Sequence, residues 1–363
     1  MTTVSEQQLL PSAEPVCLID QNGVPHENPS YELPARERLV DGYTQLIKAR
    51  RFNDQASALV RQGRLAVYPS SYGQEACQIA ATMVLREDDW LFPTYRDSAA
   101  IMSRGVDPIE TLTLLRGDWH SGYDPYEHKV APQSTPLATQ LPHAVGVAHA
   151  ARLKGEDTVV MALVGDGGTS EGDFHEALNF AAVFRAPVVF FVQNNEYAIS
   201  VPLSRQSAAP SLAHKGIGYG VPGERADGND LAGLLAVLGK AVEKARSGEG
   251  PQLIEAHTYR VQAHTNADDA TRYREDAEVA PWLDRDPIDR LVSYLSANGG
   301  LTDEVKQRAE EGSTRVAAQL RDGLMPEPEV EPAEMFAYLY AEQTQQLREQ
   351  AAFLRDELAR EEA

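Results

Sequence analysis

From Glu37 to Gln62 the apolar residues Leu39, Tyr43, Leu46, Ile47 and Leu59 recur at helical spacing, which predicts an amphipathic helix. The alanine-rich stretch 74–85 predicts another. The pattern then changes. TVVMALV, Thr158 to Val164, is a short apolar run rich in β-branched residues and closed by Gly165, as expected of a strand buried on both faces. Residues 170–184 return to helical spacing, with Phe174, Ala177, Leu178, Ala181 and Ala182 on one face. PVVFFVQ, Pro187 to Gln193, predicts a second buried strand, so the three segments form a βαβ unit with a right-handed crossover. A long helix over 229–246 and a third strand, QLIEA at 252–256, continue the alternation. The predicted fold class is α/β, a doubly wound and mostly parallel sheet.

The flanks break this pattern. Residues 1–35 hold Pro11, Pro15, Pro25, Pro29 and Pro34 with no sustained period, which reads as an irregular arm, mobile or laid over a partner. Residues 36–300 are expected to form the α/β domain, and 301–363 an acidic helical C-terminal region with 15 acidic against 7 basic residues. Within it MPEPEVEP, 325–332, reads as a linker before a final helix from Ala333. Its Met335, Phe336, Leu339 and Tyr340 would face either a core or a partner.

Composition narrows the classes. Asp and Glu number 54 against 33 Lys and Arg, a net charge of −21, so a phosphate backbone is a poor partner and no nucleic acid is expected. With 42% hydrophobic residues the chain has material for a core and is not a disordered one. Two cysteines, Cys17 and Cys77, allow neither a disulfide framework nor a four-cysteine zinc site. The N-terminus lacks the features of a secretory signal, and no apolar run reaches the roughly 18–20 residues that span a bilayer. The expectation is a cytoplasmic protein without a membrane partner.

The chemistry concentrates after the predicted strands. Gly165-Asp166-Gly167-Gly168 follows one and opens a helix, where backbone N–H groups can approach a phosphate. Alone it is equally a structural turn. Ser170 stands where a dinucleotide motif needs its third glycine, and no Walker lysine is present. The next strand ends in Asn194-Asn195-Glu196-Tyr197, and neighbouring parallel strands end on one edge, where open α/β sheets bind ligands. An aspartate, an asparagine carbonyl and a backbone carbonyl suit Mg²⁺, which takes further oxygens from phosphates. Asp166 as a helix cap is the plainer alternative.

The run GDGGTSEGDFHEALNFAAVFRAPVVFFVQNNEYAIS resembles the thiamine-diphosphate fingerprint, which opens with GDG and closes with NN. More closely, residues from about Gln62 to Trp282 resemble the alpha subunit of the decarboxylating component of 2-oxoacid dehydrogenase complexes. The resemblance implies the thiamine-diphosphate-binding fold. It makes Asp166 and Asn195 side-chain ligands of Mg²⁺ and Tyr197 a ligand through its carbonyl, and places Ala198 at the cofactor. Gly167 and Gly168 would hold the diphosphate, and Tyr95 and Arg96 (of FPTYRDSAAIMSRG) match the family's YR pair, Arg96 gripping a phosphate. Arg96 could instead form an ion pair with Asp97. STPLATQ, Ser134 to Gln140, matches the loop under the aminopyrimidine, with Thr135 at the cofactor and the Leu137 carbonyl as acceptor. Ser134, Thr139 and Gln140 match the potassium site of some relatives.

The polar stretch EAHTYRVQAHTNADDATRYR has no apolar period and follows the third strand, so it reads as a long loop at the ligand edge. It matches the family's active-site loop, with Arg260 at a phosphate-binding position and His264 at a phosphate-binding and catalytic one. His120, in RGDWHSG, matches a second catalytic histidine of some relatives. An imidazole suits proton transfer near neutral pH. The remaining histidines, among them His26, His149, His175 and His214, carry no functional signal. There are two departures: Thr265 stands where some relatives have a regulatory serine, and Gln193 where certain relatives place an arginine on the diphosphate.

The implied activity is oxidative decarboxylation of a 2-oxoacid and acyl transfer to a lipoyl-bearing acyltransferase core. The SEGDFHEALNFAA helix, the PLATQ loop and YAIS look more like branched-chain enzymes than the mitochondrial pyruvate type; pyruvate is the alternative. A non-catalytic diphosphate-binding protein is the contrasting class. In the family a beta subunit supplies the activating glutamate and half of the cleft, so two alpha and two beta subunits are implied.

Overall fold

The structure, a computed structural model, describes residues 9–117, 121–325 and 331–361. Five parallel strands form one sheet: β1 (Trp90–Phe92), β2 (Val160–Gly165), β3 (Val188–Asn194), β4 (Gly223–Asp227) and β5 (Gln252–His257), in the order β1-β2-β3-β5-β4. β2 pairs with β3 from Val160↔Val188 to Gly165↔Gln193, and β3 with β5 from Val189↔Gln252 to Asn194↔His257. The ends of β2, β3 and β5 therefore lie side by side on one edge.

Alternation of side chains divides the core between the two faces of the sheet. Val160, Ala162 and Val164 of β2, with Val188, Phe190 and Val192 of β3, pack on one face with the helices Gln140–Lys154 and Gly172–Phe184. Met161, Leu163, Val189 and Phe191 pack on the other with Arg36–Arg61, Glu75–Met83 and Leu231–Arg246. Both faces are covered, which is why these strands read as unbroken apolar runs. Between residues 36 and 257 the expected helices and the three expected strands are present within two residues of their predicted ends. β1 and β4 were not expected: β1 is three residues long, and the GERAD of β4 has a single apolar side chain.

The N-terminal arm corrects the sequence expectation. Its described residues 9–35 are irregular, but they lie on the chain's own sheet edge, with Val16 paired to Ala226 of β4. Asp230, buried at the start of Leu231–Arg246, accepts from Ala232 and Gly233 of that helix and from the Leu18 and Ile19 N–H groups of the arm. One carboxylate thus caps a helix and anchors the arm, and its burial pushes its pKa up to about 6. Leu18 and Ile19 are fully buried.

The chain forms two compact units, Met1–Gly323 and Leu324–Ala363. The first extends past the boundary expected at residue 300. In the helix from Asp303, Ala309, Ser313, Ala317 and Leu320 form a buried stripe, and Gln319 donates to Asp107 at 2.6 Å. The acidic composition describes only the outer face of that helix. In the second unit the expected helix from Ala333 is broken into Glu334–Ala337 and Gln345–Glu361, and Met335, Leu339 and Tyr340 are exposed. Among the described residues no helix is long and apolar enough to cross a membrane.

Candidate active site

A cleft opens at the ends of β2 and β3, lined by Thr94 to Asp97, Gly165 to Gly168, Asn195, Tyr197 and His264, with Gln74, Leu137, Gln193 and Ile199. Its floor is the turn after β2. Gly167 to Ser170 form one 3-10 turn, with Thr169 N–H donating to the Asp166 carbonyl at 3.0 Å. A Cβ on Gly167 would lie 2.7 Å from the Ala198 Cβ, and one on Gly168 2.5 Å from Val164. The two glycines are required by close approach, and they leave the turn's backbone open to the cleft.

Three oxygens face one another beside this turn. Asn195 Oδ1 lies 3.2 Å from Asp166 Oδ1 and 3.0 Å from the Tyr197 carbonyl; the Tyr197 N–H donates to Asn195 Oδ1 at 3.3 Å and Arg260 to the Tyr197 carbonyl at 3.1 Å, and rotation of the Asn195 amide would put a further donor between the three oxygens. Acceptors converging at this distance are unfavourable unless a donor or a cation lies between them. Burial raises the Asp166 pKa, and a bound cation would reverse that shift. Asp166 is oriented by Gln206, whose Nε2 donates to Oδ2 at 2.7 Å, and Asn195 Nδ2 by Gln74 Oε1 at 2.9 Å. The donor set fits a hard divalent cation.

The opposite wall carries Arg96, which is buried. Its guanidinium donates to the Ser70 carbonyl at 2.8 Å and to the His264 carbonyl at 3.1 Å, and lies 3.0 Å from His264 Nδ1. Arginine has only donors, so Nδ1 accepts and the proton of neutral His264 resides on Nε2. Burial and the Arg96 and Arg260 cations lower the His264 pKa to about 4, so this tautomer persists through neutral pH. The Tyr95 ring stands edge-on to His264 at 6.0 Å between centroids. Asp97, fully buried, does not pair with Arg96 but accepts from Thr94 N–H and Oγ1 and from Gln193 Nε2.

Most of the expected site residues converge here, with exceptions. Arg260 does not line the cleft. It is buried behind it, donating to the Tyr197 carbonyl at 3.1 Å, the Ile199 carbonyl at 2.6 Å and the Tyr273 hydroxyl at 2.8 Å. In the structure the residue expected to bind phosphate bridges loops, with two carbonyls and a hydroxyl taking three of its N–H groups, while its buried Nε has no hydrogen-bond partner among the described residues. Thr135 is exposed and lies outside the lining, whereas Ala198 abuts Gly167. Gln193 lines the cleft, but Asp97 occupies its donor and its Oε1 accepts from Gln74. Ser134 Oγ donates to the Pro136 carbonyl, Thr139 to Asp173, and the buried Gln140 Oε1 has no partner. His120 lies outside the described residues. Gln74, Gln206 and Asp97 were not foreseen, since no motif marks a residue whose partner is distant in sequence.

The model of the dehydrogenase E1 component family matches residues 44–321. A 3-methyl-2-oxobutanoate dehydrogenase subunit alpha from Mycobacterium tuberculosis is 47% identical over 96% of this chain and 95% of its own length. Pyruvate dehydrogenase E1 component alpha subunits are 37% identical in Acholeplasma laidlawii, over 91% of this chain and 96% of the relative, and 36% in Staphylococcus aureus, over 93% and 91%. The chain belongs to the dehydrogenase E1 component family, whose cofactor is thiamine diphosphate.

Proposed function

We propose that the chain is the alpha subunit of a branched-chain 2-oxoacid dehydrogenase, acting on substrates such as 3-methyl-2-oxobutanoate. The observation that carries the chemistry is the convergence of Asp166, Asn195 and Tyr197 oxygens beside the Gly167-Gly168 turn. The choice of substrate rests on the 47% identical relative; the more distant pyruvate dehydrogenase relatives support pyruvate as the second reading.

In this reading Asp166, Asn195 and the Tyr197 carbonyl hold Mg²⁺, and the Gly167 and Gly168 N–H groups hold the diphosphate. Thiamine diphosphate, when bound, supplies the carbon nucleophile and the electron sink for decarboxylation. Arg96, fixed by Ser70, adds positive charge on the far wall, and Leu137 offers its carbonyl from the loop above Gly168. His264 offers Nε2–H to a carboxylate or carbonyl oxygen of the substrate. Its low pKa keeps a neutral donor there, so Nε2–H can hydrogen-bond a developing alkoxide and stabilise its charge. The unpartnered Gln140 Oε1, with Ser134 and Thr139 nearby in sequence, suits K⁺. The second histidine role belongs to His120 in this reading.

The cleft is incomplete in one respect that supports a beta partner. Asp97 and Asp166 are the only carboxylates among its described lining residues, and both are engaged. Neither is free to activate an aminopyrimidine, and the exposed Leu137 and Ile199 leave an apolar rim for another surface. We assign the missing glutamate to a beta subunit, in a complex of two alpha and two beta subunits that passes its acyl group to a lipoyl-bearing acyltransferase core. Turnover of 3-methyl-2-oxobutanoate and of pyruvate is to be measured for the chain alone and with its beta partner. The reading requires an inactive chain and an active pair with higher kcat/KM for the branched substrate. An active chain alone, a pyruvate preference, or a pair that binds the cofactor without turnover each overturns a stated part of it.

A further inference from the structure

Behind the cleft lies a polar network that the reading above does not use. Lys215, in the 3-10 segment Leu212–Tyr219, donates through Nζ to the Thr169 carbonyl at 2.8 Å and lies 2.9 Å from Thr169 Oγ1. Thr169 is fully buried, and its hydroxyl donates in turn to the Asp166 carbonyl at 2.7 Å. The ammonium therefore holds Thr169 directly and reaches the Asp166 end of the turn through the Thr169 hydroxyl.

The segment carrying Lys215 is itself anchored. Ala213 N–H donates to Glu255 Oε2 at 2.9 Å, and the other oxygen of this buried carboxylate accepts from Asn194 Nδ2 at 2.7 Å. Asn194 Oδ1 accepts from Glu196 N–H at 3.2 Å, fixing the backbone between Asn195 and Tyr197. Thr169 follows β2, Asn194 ends β3 and Glu255 lies on β5, so one network ties three adjacent strands together at the ligand edge. Glu255 and Asn194 are nearly fully buried, and a buried network confers rigidity only if its members are satisfied.

We infer that Lys215 is a positioning residue for the cofactor site, holding the Asp166–Ser170 turn at a fixed distance from Asn195 and Tyr197 so that the metal oxygens and the glycine N–H groups are placed before any ligand arrives. This rests on the thiamine-diphosphate reading of the cleft. Lys215 does not line the cleft and takes no part in the chemistry.

The test compares wild type, Lys215→Met and Lys215→Arg in the assembled complex with the beta subunit. Calorimetry gives the Kd of thiamine diphosphate at fixed Mg²⁺, and amide hydrogen exchange of residues 166–171 is followed without cofactor. Lys215→Met is expected to raise Kd about 10- to 100-fold, as loss of a residue behind metal ligands does. It is also expected to speed exchange in the turn, with kcat at saturating cofactor within about twofold of wild type, an interaction lost from binding rather than from the transition state. Lys215→Arg, which keeps the cation and its donors, should recover most of the affinity. Unchanged Kd and exchange in Lys215→Met, or a fall in kcat at unchanged Kd, overturns the inference. If the underlying reading fails, the wild-type complex itself binds no thiamine diphosphate; exchange in the unliganded turn then decides alone whether Lys215 holds it.

Discussion

Two segments meet at the cleft, and they are built in different ways. The turn after β2 and the asparagine segment after β3 are placed by the ends of paired strands, with glycines allowing close backbone approach. The loop 258–274 is held mainly by charged side chains: Arg274 donates to the carbonyls of Arg260, Val261 and Gln262, and Asp268 accepts from the His264 N–H and the Tyr273 hydroxyl. The first segment inherits the rigidity of the sheet. The second depends on a few long-range contacts, so its histidine is placed by arginines. The Asp166, Asn195 and Tyr197 oxygens should therefore tolerate changes in the loop better than His264 does.

The largest effect expected is from Asp166→Ala, which removes the one anionic oxygen donor. Activity of the reconstituted pair should fall by roughly 10²–10³-fold at fixed Mg²⁺, the range for losing one preorganised electrostatic contact, with thermal stability nearly unchanged. His264→Gln should lower kcat by about 10²-fold, the lower end for general acid–base groups, while the cofactor Kd moves little. If the cofactor Kd rises as much as kcat falls, the division of labour between the two segments is wrong.

Gln206→Leu comes next. Loss of the amide that orients Asp166 should weaken Mg²⁺ about 10- to 100-fold and leave kcat at saturating Mg²⁺ intact, as a metal titration will show. Arg260→Met separates a strut from a phosphate ligand. As a strut it should lower Tm and speed hydrogen exchange across 258–274, since charge-assisted hydrogen bonds contribute about 1.5–3 kcal/mol each. A pure loss of cofactor affinity at unchanged Tm would instead return Arg260 to the cleft.

The smallest effect is a pH slope. The folded-state pKa of His264 is near 4, below its ordinary 6.5, so between those values the unfolded chain takes up a proton that the folded chain does not. His264 therefore subtracts stability as pH falls through this window. The drop in Tm between pH 7 and pH 4.5 should be shallower in His264→Gln, and an equal drop would mean that Arg96 does not hold the ring neutral.

The sheet was legible where burial on both faces writes a continuous apolar run, as in β2, β3 and β5. β1 is too short to show a period, and β4 lies at the sheet edge with charged residues at 224, 225 and 227, so neither carried a signal. The docking of the arm hangs on Asp230, more than 200 residues away, and proline content alone cannot distinguish a packed irregular segment from a free one. In the site, Asp166, Gly167, Gly168 and Asn195 were legible because backbone geometry fixes their spacing. That Arg260 lies outside the cleft lining was not legible, because the sequence locates a side chain's origin, whereas neighbouring carbonyls decide where a guanidinium points. Gln74, Gln206 and Lys215 were invisible for the converse reason: each acts on a site residue far from it in the chain.

A divalent ion is expected at the ends of β2 and β3. Its most direct test is an anomalous difference map from crystals of the alpha–beta complex grown with thiamine diphosphate and Mn²⁺ in place of Mg²⁺. One peak per alpha chain is expected, about 2.0–2.3 Å from Asp166 Oδ1, Asn195 Oδ1 and the Tyr197 carbonyl, allowing for an ion slightly larger than Mg²⁺. A peak elsewhere, or none with the cofactor bound, would contradict it.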